Sequence, residues 1–319
     1  MKLFVTGAAG FIGSNYVRHV LATTDDEVTV YDALTYAGNL STLKDVDDSP
    51  RYRFVKGNIG DRLTLEEAMA GHDAVVHFAA ESHVDRSIVG PDDFIHTNCF
   101  GTNVVMDTAR RLEVPRVVHI GTDEVYGSVE EGSSAEADPL EPRSPYSASK
   151  AGSDLIALSY HHTYDLPVTV TRCTNNFGPY QFPEKAIPLF TTNLLEDKQI
   201  PLYGDGLNER DWLYVDDHCS GVHLVLHEGA AGEIYNIGAG NETPNRVLVD
   251  KLLALLGKDE SSVEYVEDRL GHDRRYSVDI SKITELGWAK HRTLDEALAE
   301  TVDWYRANEW WWRPLKAQS

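Results

Sequence analysis

Three glycines near the start of the chain constrain its fold more than any other feature. An apolar run over residues 2–6 is followed by Gly7, Gly10 and Gly13, and then by an amphipathic stretch. This order predicts a strand, a glycine-rich turn and a helix, as in dinucleotide-binding sheets. The glycines allow backbone N–H groups to approach a pyrophosphate at the helix N-terminus. The pattern alone is weak evidence, because turns are glycine-rich for steric reasons as well.

The second expected strand supports the dinucleotide-binding interpretation of the glycines. The apolar residues 28–31 end at Asp32, about 20 residues beyond the glycines. A carboxylate here can accept hydrogen bonds from both ribose hydroxyls and repels a 2′-phosphate. No arginine in residues 33–39 reverses that preference. The sequence therefore predicts NAD, rather than NADP, as cofactor.

Strands and helices alternate through the first half of the chain. This alternation predicts an α/β fold with a Rossmann-type doubly wound parallel sheet and right-handed crossovers. Ligands of such sheets bind beyond the carboxyl ends of the strands. We expect strands at residues 2–6, 28–31, 52–55, 74–78, 117–120 and 168–173, and helices near residues 14–21, 64–69, 91–112 and 146–164.

The pattern becomes irregular after residue 175, where prolines separate short elements. We expect an NAD-binding domain formed by residues 1–175 and about 208–241. A smaller α/β C-terminal substrate lobe would comprise about 176–207 and 242–319. The run Trp310, Trp311 and Trp312 is expected to pack on this lobe or at a subunit contact, with a stacking platform as the alternative.

The charge of the chain limits its partners. The formal net charge of −22 argues against nucleic acid or an anionic membrane, so an anionic substrate must be attracted by a few placed basic residues. Cys99, Cys173 and Cys219 have no metal-ligand spacing and suit a reducing compartment. Neither a signal peptide nor a transmembrane stretch is expected, which favours a cytoplasmic location.

Two adjacent carboxyls accompany a tyrosine and a lysine that are spaced for one helix turn. Thr122, Asp123 and Glu124 follow an apolar strand, and Tyr146 and Lys150 come later. A ketoreductase-type site needs a hydroxyl donor, a tyrosine base and a lysine that lowers the tyrosine pKa. A second acid and base suggest that another bond breaks in the same pocket. The alternative is a solvated turn at a strand end.

The motifs resemble those of the dTDP-glucose 4,6-dehydratase family, within the extended short-chain dehydrogenase/reductase superfamily. The likeness runs from Lys2 to about Leu315 and rests on several motifs besides the glycines. These are Thr-Asp-Glu-Val-Tyr-Gly at residues 122–127, Gly-Pro-Tyr-Gln-Phe-Pro-Glu-Lys at 178–185 and Arg-Asp-Trp at 210–212. The resemblance implies oxidation of dTDP-glucose at C4, loss of water across C5–C6 and return of hydride to C6. The smaller lobe would then bind the nucleotide sugar.

The resemblance also implies a role for each catalytic candidate. Tyr146 takes the proton of the 4-hydroxyl, helped by the charges of Lys150 and the nicotinamide. Thr122 hydrogen-bonds the same oxygen. Glu124 removes the C5 proton, and Asp123 protonates the departing 6-hydroxyl, for which it must be protonated near neutral pH. Adjacent residues of an extended strand point opposite ways, so a turn must bring both carboxyls to the sugar.

The remaining site residues follow from the same resemblance. Asn58 stands where the family usually has aspartate, so its contact with adenine lacks charge assistance. The implied cofactor-binding residues are Gly7, Gly10, Phe11, Ile12, Gly13, Asp32, Asn58, Ile59, Ala79, Ala80, Ser82, Thr97, Tyr146, Lys150, Cys173 and Asn175. The implied substrate-binding residues are Ser82, Thr122, Asn175, Glu184, Lys185, Pro201, Tyr203, Arg210, Asn245, Arg269 and His272, with Arg210 and Arg269 on the phosphates.

A homodimer with a four-helix contact, formed by the helices near residues 91–112 and 146–164, is implied by analogy. Thymine specificity and the pathway that uses the product remain open. The alternatives within the superfamily are a 4-epimerase, which needs no second acid and base, and a decarboxylase, which needs an added basic residue. A cofactor-sensing regulatory protein is the alternative outside enzymes, although it would be expected to lose Tyr146 or Lys150.

Overall fold

The strands belong to three sheets. The computed structural model describes residues 1–268 and 272–317. In chain order the strands are β1 (Lys2–Thr6), β2 (Glu27–Asp32), β3 (Tyr52–Lys56), β4 (Ala74–His77), β5 (Val117–Thr122), β6 (Val168–Cys173), β7 (Asn175–Phe177), β8 (Ile200–Tyr203), β9 (Glu209–Tyr214), β10 (Ile234–Ile237), β11 (Glu242–Pro244) and β12 (Val263–Val266).

The helices lie between these strands and at the C-terminal end. They are α1 (Phe11–Thr23), α2 (Arg62–Met69), α3 (Val84–Val89), α4 (Pro91–Phe94), α5 (Thr102–Arg111), α6 (Pro145–Tyr164), α7 (Ala186–Leu195), α8 (Val215–Glu228), α9 (Asn245–Leu256), α10 (Ser281–Glu285), α11 (Leu294–Ala307) and α12 (Glu309–Lys316). Short 3₁₀ turns cover Leu40–Leu43, Asp123–Tyr126 and Glu260–Ser262, and a π-helical segment covers Ile95–Gly101.

Seven parallel strands form the central sheet in the order β3-β2-β1-β4-β5-β6-β10. One core cluster joins α1 and α8 to this sheet, and another joins α2, α5 and α6 to it. Both faces are therefore covered, which explains why every residue of β4, β5 and β6 is buried. The expected Rossmann-type doubly wound sheet is confirmed.

The smaller lobe has its own core. Strand β9 pairs antiparallel with β11 and parallel with β7 to form one sheet, and β8 and β12 form another. Helices α7, α9 and α11 pack on these two sheets. Trp212 and Tyr214 of β9 belong to this core, whereas Ile283 and Trp288 belong to the core of the larger lobe. The chain therefore crosses between the lobes more often than the expected ranges suggest, and those ranges stay a prediction.

The helix expected over residues 91–112 is not uniform. A π-helical segment separates α4 from α5, so that the turn is wider over Ile95–Gly101. Such wide turns frequently occur at functional sites. Thr97 lies in this segment and faces the ligand cleft described below. Of the helices in the described part of the chain, none is long and apolar enough to cross a membrane.

Gly7 is required by both its conformation and its surroundings. Its φ is +70°, and a Cβ atom would lie 2.5 Å from the backbone nitrogen of Ala79. We expect Gly7→Ala to lower the free energy of unfolding by more than about 2 kcal/mol, because positive φ costs about 1–2 kcal/mol and the clash adds to it. Gly71→Ala is the matched control, since Gly71 has φ +76° and no neighbour within 4 Å. If both variants lose the same free energy of unfolding in urea, the clash with the Ala79 backbone makes no contribution.

Candidate active site

One cleft of about 320 Å³ lies at the carboxyl ends of the central strands. Every residue that the sequence predicted to bind the cofactor lines it, from Gly7 to Asn175, as do all five predicted catalytic residues. Ser82, Glu184 and Lys185 of the predicted substrate residues line it too. The structure thus brings together predicted residues that are up to 178 positions apart, from Gly7 to Lys185.

The Asp32 carboxylate lies at the adenosine end of this cleft. Its two oxygens accept hydrogen bonds from the backbone N–H groups of Ala9 (2.9 Å) and Leu34 (2.8 Å). These bonds fix the carboxylate at the end of β2, where it can meet ribose hydroxyls. Nearby, the Asn58 Oδ1 atom accepts a bond from the Gly60 N–H at 2.8 Å. One lone pair of the amide oxygen predicted to meet adenine is therefore already used.

Several polar atoms in the cleft wall have no hydrogen-bond partner among the described residues. The atoms buried without such a partner include the Thr174 hydroxyl, the amide oxygens of Asn175, Asn176 and Gln181, and the Asp123 Oδ2 atom. Unpaired buried polar atoms cost free energy unless a ligand or water satisfies them. Their concentration in one cleft fits a long polar ligand such as a dinucleotide.

The Thr122 hydroxyl connects the two carboxyls that follow it. Strand β5 runs to Thr122, two residues beyond the expected end at Ile120, and a 3₁₀ turn begins at Asp123. The Thr122 hydroxyl accepts a bond from the Glu124 N–H at 3.3 Å and donates one to the Asp123 Oδ1 atom at 3.2 Å. Because of this turn, Asp123 and Glu124 both line the cleft. Both residues line one cleft and Asp123 is buried, as the predicted roles at one sugar require; those roles stay a prediction.

Burial changes the acidity of Asp123. The residue is 3% exposed, and desolvation raises its pKa well above the usual value, with the neighbouring Glu124 charge acting in the same direction. The charge of Arg210 lowers this pKa, although its effect is smaller. This shift favours the acid form of Asp123, which is the form that its predicted role as the acid requires.

Tyr146 and Lys150 lie in the first half of α6, whose N-terminus is capped by Ser144. The Lys150 ammonium donates to the Ile120 carbonyl at 2.6 Å. Burial raises the Tyr146 pKa well above its usual value, and the Glu124 charge raises it further, while the hydrogen bond with Thr122 lowers it. Burial is the largest of these effects, and the acidification of Tyr146 by Lys150 together with a nicotinamide charge stays a prediction.

A buried ion pair lies behind Lys150. The Asp154 carboxylate, one turn later on α6, accepts a bond from the Arg172 Nε atom at 2.9 Å, and the His119 ring lies 3.2 Å from its other oxygen. Hydrogen bonding with His119 and the charges of His119 and Arg172 lower the Asp154 pKa against the effect of burial. Burial lowers the Lys150 pKa, and the Asp154 charge opposes that decrease. Asp154 therefore helps to keep the lysine charged.

Contacts between the lobes cross the opening of the cleft. The Lys185 ammonium donates to the Ser82 carbonyl at 2.7 Å, and the Arg86 guanidinium donates to Glu184 at 3.2 Å. The same guanidinium lies 3.8 Å from the centre of the Tyr36 ring. Glu184 and Lys185, which the sequence predicted as substrate residues, therefore also join the small lobe to the large one.

Five predicted substrate residues do not line this cleft. Tyr203 and His272 are edge-on neighbours with ring centres 6.1 Å apart, and His272 pairs with Asp268. The Arg210 guanidinium donates to the carbonyls of Asp273 (2.9 Å) and Glu209 (2.7 Å). Contact of these residues with the nucleotide stays a prediction, and Arg269 lies outside the described residues. The five are Pro201, Tyr203, Arg210, Asn245 and His272.

The structure adds residues that sequence reasoning missed. Tyr276 is buried, its ring lies 4.3 Å from the Arg210 guanidinium, and the Glu124 charge contributes to raising its pKa. It therefore lies close to the catalytic turn, although no motif marked it. Further residues line the cleft although no binding role was predicted for them, and only the motif at residues 178–185 and the tryptophan run were visible signals. They include Tyr36, Gly38, Glu81, Thr174, Asn176, Tyr180, Gln181, Phe182 and Trp311.

Comparison with known proteins points to the same enzyme family as the geometry of the cleft. Residues 4–301 match the family model described as GDP-mannose 4,6 dehydratase. A dTDP-glucose 4,6-dehydratase from Streptomyces antibioticus is 55% identical over 99% of this chain and 96% of its own length. The crystal structure of DesIV, a dTDP-glucose 4,6-dehydratase from Streptomyces venezuelae with NAD and TYD bound, has a TM-score of 0.97 and 57% identity, covering 99% of this chain and 100% of that one.

A related epimerase shares the fold at lower similarity. The UDP-glucose 4-epimerase from Thermotoga maritima, crystallised with UDP-glucose, has a TM-score of 0.90 and 30% identity, with 97% of this chain and 100% of that chain covered. The fold alone therefore does not separate an epimerase from a dehydratase. The higher identities to the dehydratases, together with the paired carboxyls after β5, make that separation. The chain belongs to the dTDP-glucose 4,6-dehydratase family of the extended short-chain dehydrogenase/reductase superfamily.

Proposed function

We propose that Thr122, Asp123, Glu124, Tyr146 and Lys150 carry out the 4,6-dehydration of dTDP-glucose. The chain is an NAD-dependent hydro-lyase, and the product is dTDP-4-keto-6-deoxyglucose. The observation that carries the proposal is the 3₁₀ turn that places Asp123 and Glu124 in one cleft with Tyr146. An acid and a base beside an oxidising site are what an elimination requires.

The residues around the cleft fit NAD. The glycine turn leaves room for a diphosphate at the N-terminus of α1, Asp32 is held at the ribose position, and unpaired polar atoms of Asn175 and Asn176 face the cleft. When bound, NAD supplies the hydride acceptor for C4, the hydride donor for C6 and a cationic ring beside Tyr146.

Tyr146, Thr122 and Lys150 act on the 4-hydroxyl. The Tyr146 phenolate takes the hydroxyl proton, and the Thr122 hydroxyl holds the same oxygen. The protein environment raises the Tyr146 pKa, so the phenolate depends on positive charge in the occupied cleft. Lys150 is buried, and its bond to the Ile120 carbonyl holds its charge at a fixed place behind the tyrosine.

Glu124 and Asp123 act on C5 and C6. Oxidation at C4 acidifies the C5–H bond, because the resulting carbanion is delocalised as an enolate. Glu124 takes the C5 proton while Asp123 gives its proton to the 6-hydroxyl, which leaves as water. Glu124 then returns a proton to C5. Before the next turnover Tyr146 loses the 4-hydroxyl proton to solvent and Asp123 regains one from solvent, so the proton count balances.

The overall reaction tests this assignment. Incubation with dTDP-glucose and no added nicotinamide cofactor should give a sugar nucleotide that is lighter by one water, because the cofactor is regenerated in each turnover. A product of unchanged mass with inverted C4 would instead indicate an epimerase. UDP-glucose under the same conditions measures the preference for thymine over uracil.

A homodimer is the second part of the proposal. Large apolar side chains are exposed on two adjacent helical segments: Ile95 (51%) and Phe100 (45%) on the π-helical segment and Leu155 (59%) on α6. The Cys99 thiol donates to the Ser149 carbonyl, so these two segments pack side by side. Exposed apolar clusters of this kind mark interaction sites, and a second copy of the same two segments would complete four helices.

We expect Leu155→Glu to shift the chain from dimer to monomer in sedimentation velocity, because it places a charge in the apolar contact. Leu255→Glu is the control, since Leu255 is 38% exposed on α9 of the smaller lobe. A wild-type chain that sediments as a monomer at micromolar concentration would contradict the dimer.

A reducing compartment is also proposed. Cys99, Cys173 and Cys219 are all free thiols, and two of them are buried. Free thiols are typical of the cytosol. Recovery of the protein from a fraction outside the cytoplasm would contradict this location.

A further inference from the structure

Three consecutive tryptophans near the C-terminal end of the chain have three different environments. Trp310 is 52% exposed, and its Nε1 atom donates to the Asn308 side chain. Trp312 is fully buried and donates to the Tyr305 carbonyl at 2.7 Å. Trp311 is 3% exposed and lines the cofactor cleft, but its Nε1–H group has no hydrogen-bond partner among the described residues. The middle tryptophan is therefore the one whose donor needs a ligand.

Trp311 reaches the cleft beside helix α1. Its ring is perpendicular to that of Tyr180, with centres 5.4 Å apart, and Tyr180 lies 3.9 Å from the Arg18 guanidinium of α1. The Asn15 side chain, also on α1, donates to the Pro179 carbonyl at 3.0 Å. Helix α12, which carries Trp311, thus packs on Tyr180, and the segment of Tyr180 in turn packs on α1 behind the glycine-rich turn.

The chemistry of the indole limits what Trp311 can bind. Its nitrogen is a donor only, so it needs an acceptor. Phe182 packs in the same cluster as Trp311, and its ring centre lies 5.7 Å from that of Tyr36. Tyr36 follows Asp32, where the adenosine end of a dinucleotide is expected. Phosphate and ribose oxygens of that half are acceptors of the required kind.

We propose that Trp311 is a cofactor-binding residue whose Nε1–H donates a hydrogen bond to an oxygen of the adenosine-diphosphate half of NAD. This inference rests on the proposed function, because it requires NAD in the cleft. Helix α12 then contributes to holding the cofactor, besides packing against Tyr180 and Trp304. The tryptophan run combines the packing role with a binding role that depends on one indole nitrogen.

Calorimetry with the full-length chain, freed of nucleotide, tests the proposal. We expect Trp311→Phe, which keeps an aromatic ring and removes the donor, to weaken binding of both NAD and ADP by about tenfold or more, as for a lost bond to a charged group. Trp312→Phe should lower the melting temperature and leave NAD affinity unchanged. Trp310→Phe should change neither.

The outcomes separate this inference from the function itself. Unchanged NAD affinity in Trp311→Phe would overturn the inference and leave the dehydratase intact, as would a loss for NAD without a loss for ADP. A wild-type chain that binds no NAD would overturn both. If Trp311→Phe does not fold, Trp311→Met is measured in the same way, and the melting temperature of each variant is recorded with and without NAD.

Discussion

Glu124→Gln should oxidise dTDP-glucose at C4 and then stop before water is lost. The amide has nearly the size of the carboxylate but cannot accept the C5 proton. Thr122, Tyr146 and Lys150, which act on the 4-hydroxyl, are unchanged in this variant. Loss of a positioned base costs about 10²–10⁴-fold, so dehydration should fall by that factor. Quenched samples analysed by mass spectrometry should contain a 4-keto sugar nucleotide that lacks two hydrogens relative to the substrate.

The control for this variant removes the same charge nearby. Glu130 is exposed on the loop after the catalytic turn, so Glu130→Gln should dehydrate dTDP-glucose at the wild-type rate. Full turnover by Glu124→Gln would exclude Glu124 as the base. Failure of Glu124→Gln to form any keto sugar would show instead that the residue is needed for the oxidation.

Asp123→Asn should also accumulate the 4-keto sugar, but for a different reason. The Asp123 carboxyl is buried with an unpaired Oδ2 atom, and burial raises its pKa, which favours the acid form. Asparagine cannot release a proton to the departing hydroxyl, so dehydration should fall by about 10²–10⁴-fold. In deuterated water the keto sugar of Asp123→Asn should take up deuterium at C5, because Glu124 is intact, and that of Glu124→Gln should not.

The pH dependence of the dehydration rate also follows from the raised pKa of Asp123. Because the folded pKa of Asp123 is raised, its acid form persists to a higher pH than that of an ordinary carboxyl. The dehydration rate in the wild type should therefore decrease as the pH rises through that raised value. An alkaline limb that is unchanged in Asp123→Asn would exclude Asp123 as the acid.

The fold of the larger lobe could be predicted because the sequence patterns that indicate it are local. The glycine turn, Asp32 after β2, and the Tyr146–Lys150 spacing on one helix each depend on a few neighbouring residues. Parallel strands then bring their carboxyl ends to one edge of the sheet, so these separate signals point to one cleft. The catalytic residues could be grouped from the sequence for this reason.

Other features depend on contacts between distant segments. The bond from Lys150 to the Ile120 carbonyl and the contact between Lys185 and the Ser82 carbonyl join residues 30 and 103 positions apart. The 3₁₀ turn at Asp123 requires the Thr122 hydroxyl to accept a backbone bond, which the residue types alone do not specify. The tryptophan run was evident in the sequence, but the position of Trp311 in the cleft depends on how α12 packs against Tyr180.

The fate of the C5 hydrogen in deuterated water tests the central claim most directly. Wild-type enzyme and dTDP-glucose, without added nicotinamide cofactor, should give dTDP-4-keto-6-deoxyglucose that has lost one water and carries one deuterium at C5. This result is expected because the base that removes the C5 proton, which we assign to Glu124, exchanges its proton with solvent before one returns to C5. A product that has lost water but retains the original hydrogen at C5 would contradict an exchangeable base at this carbon. An unchanged mass with inverted C4 would contradict the dehydration itself.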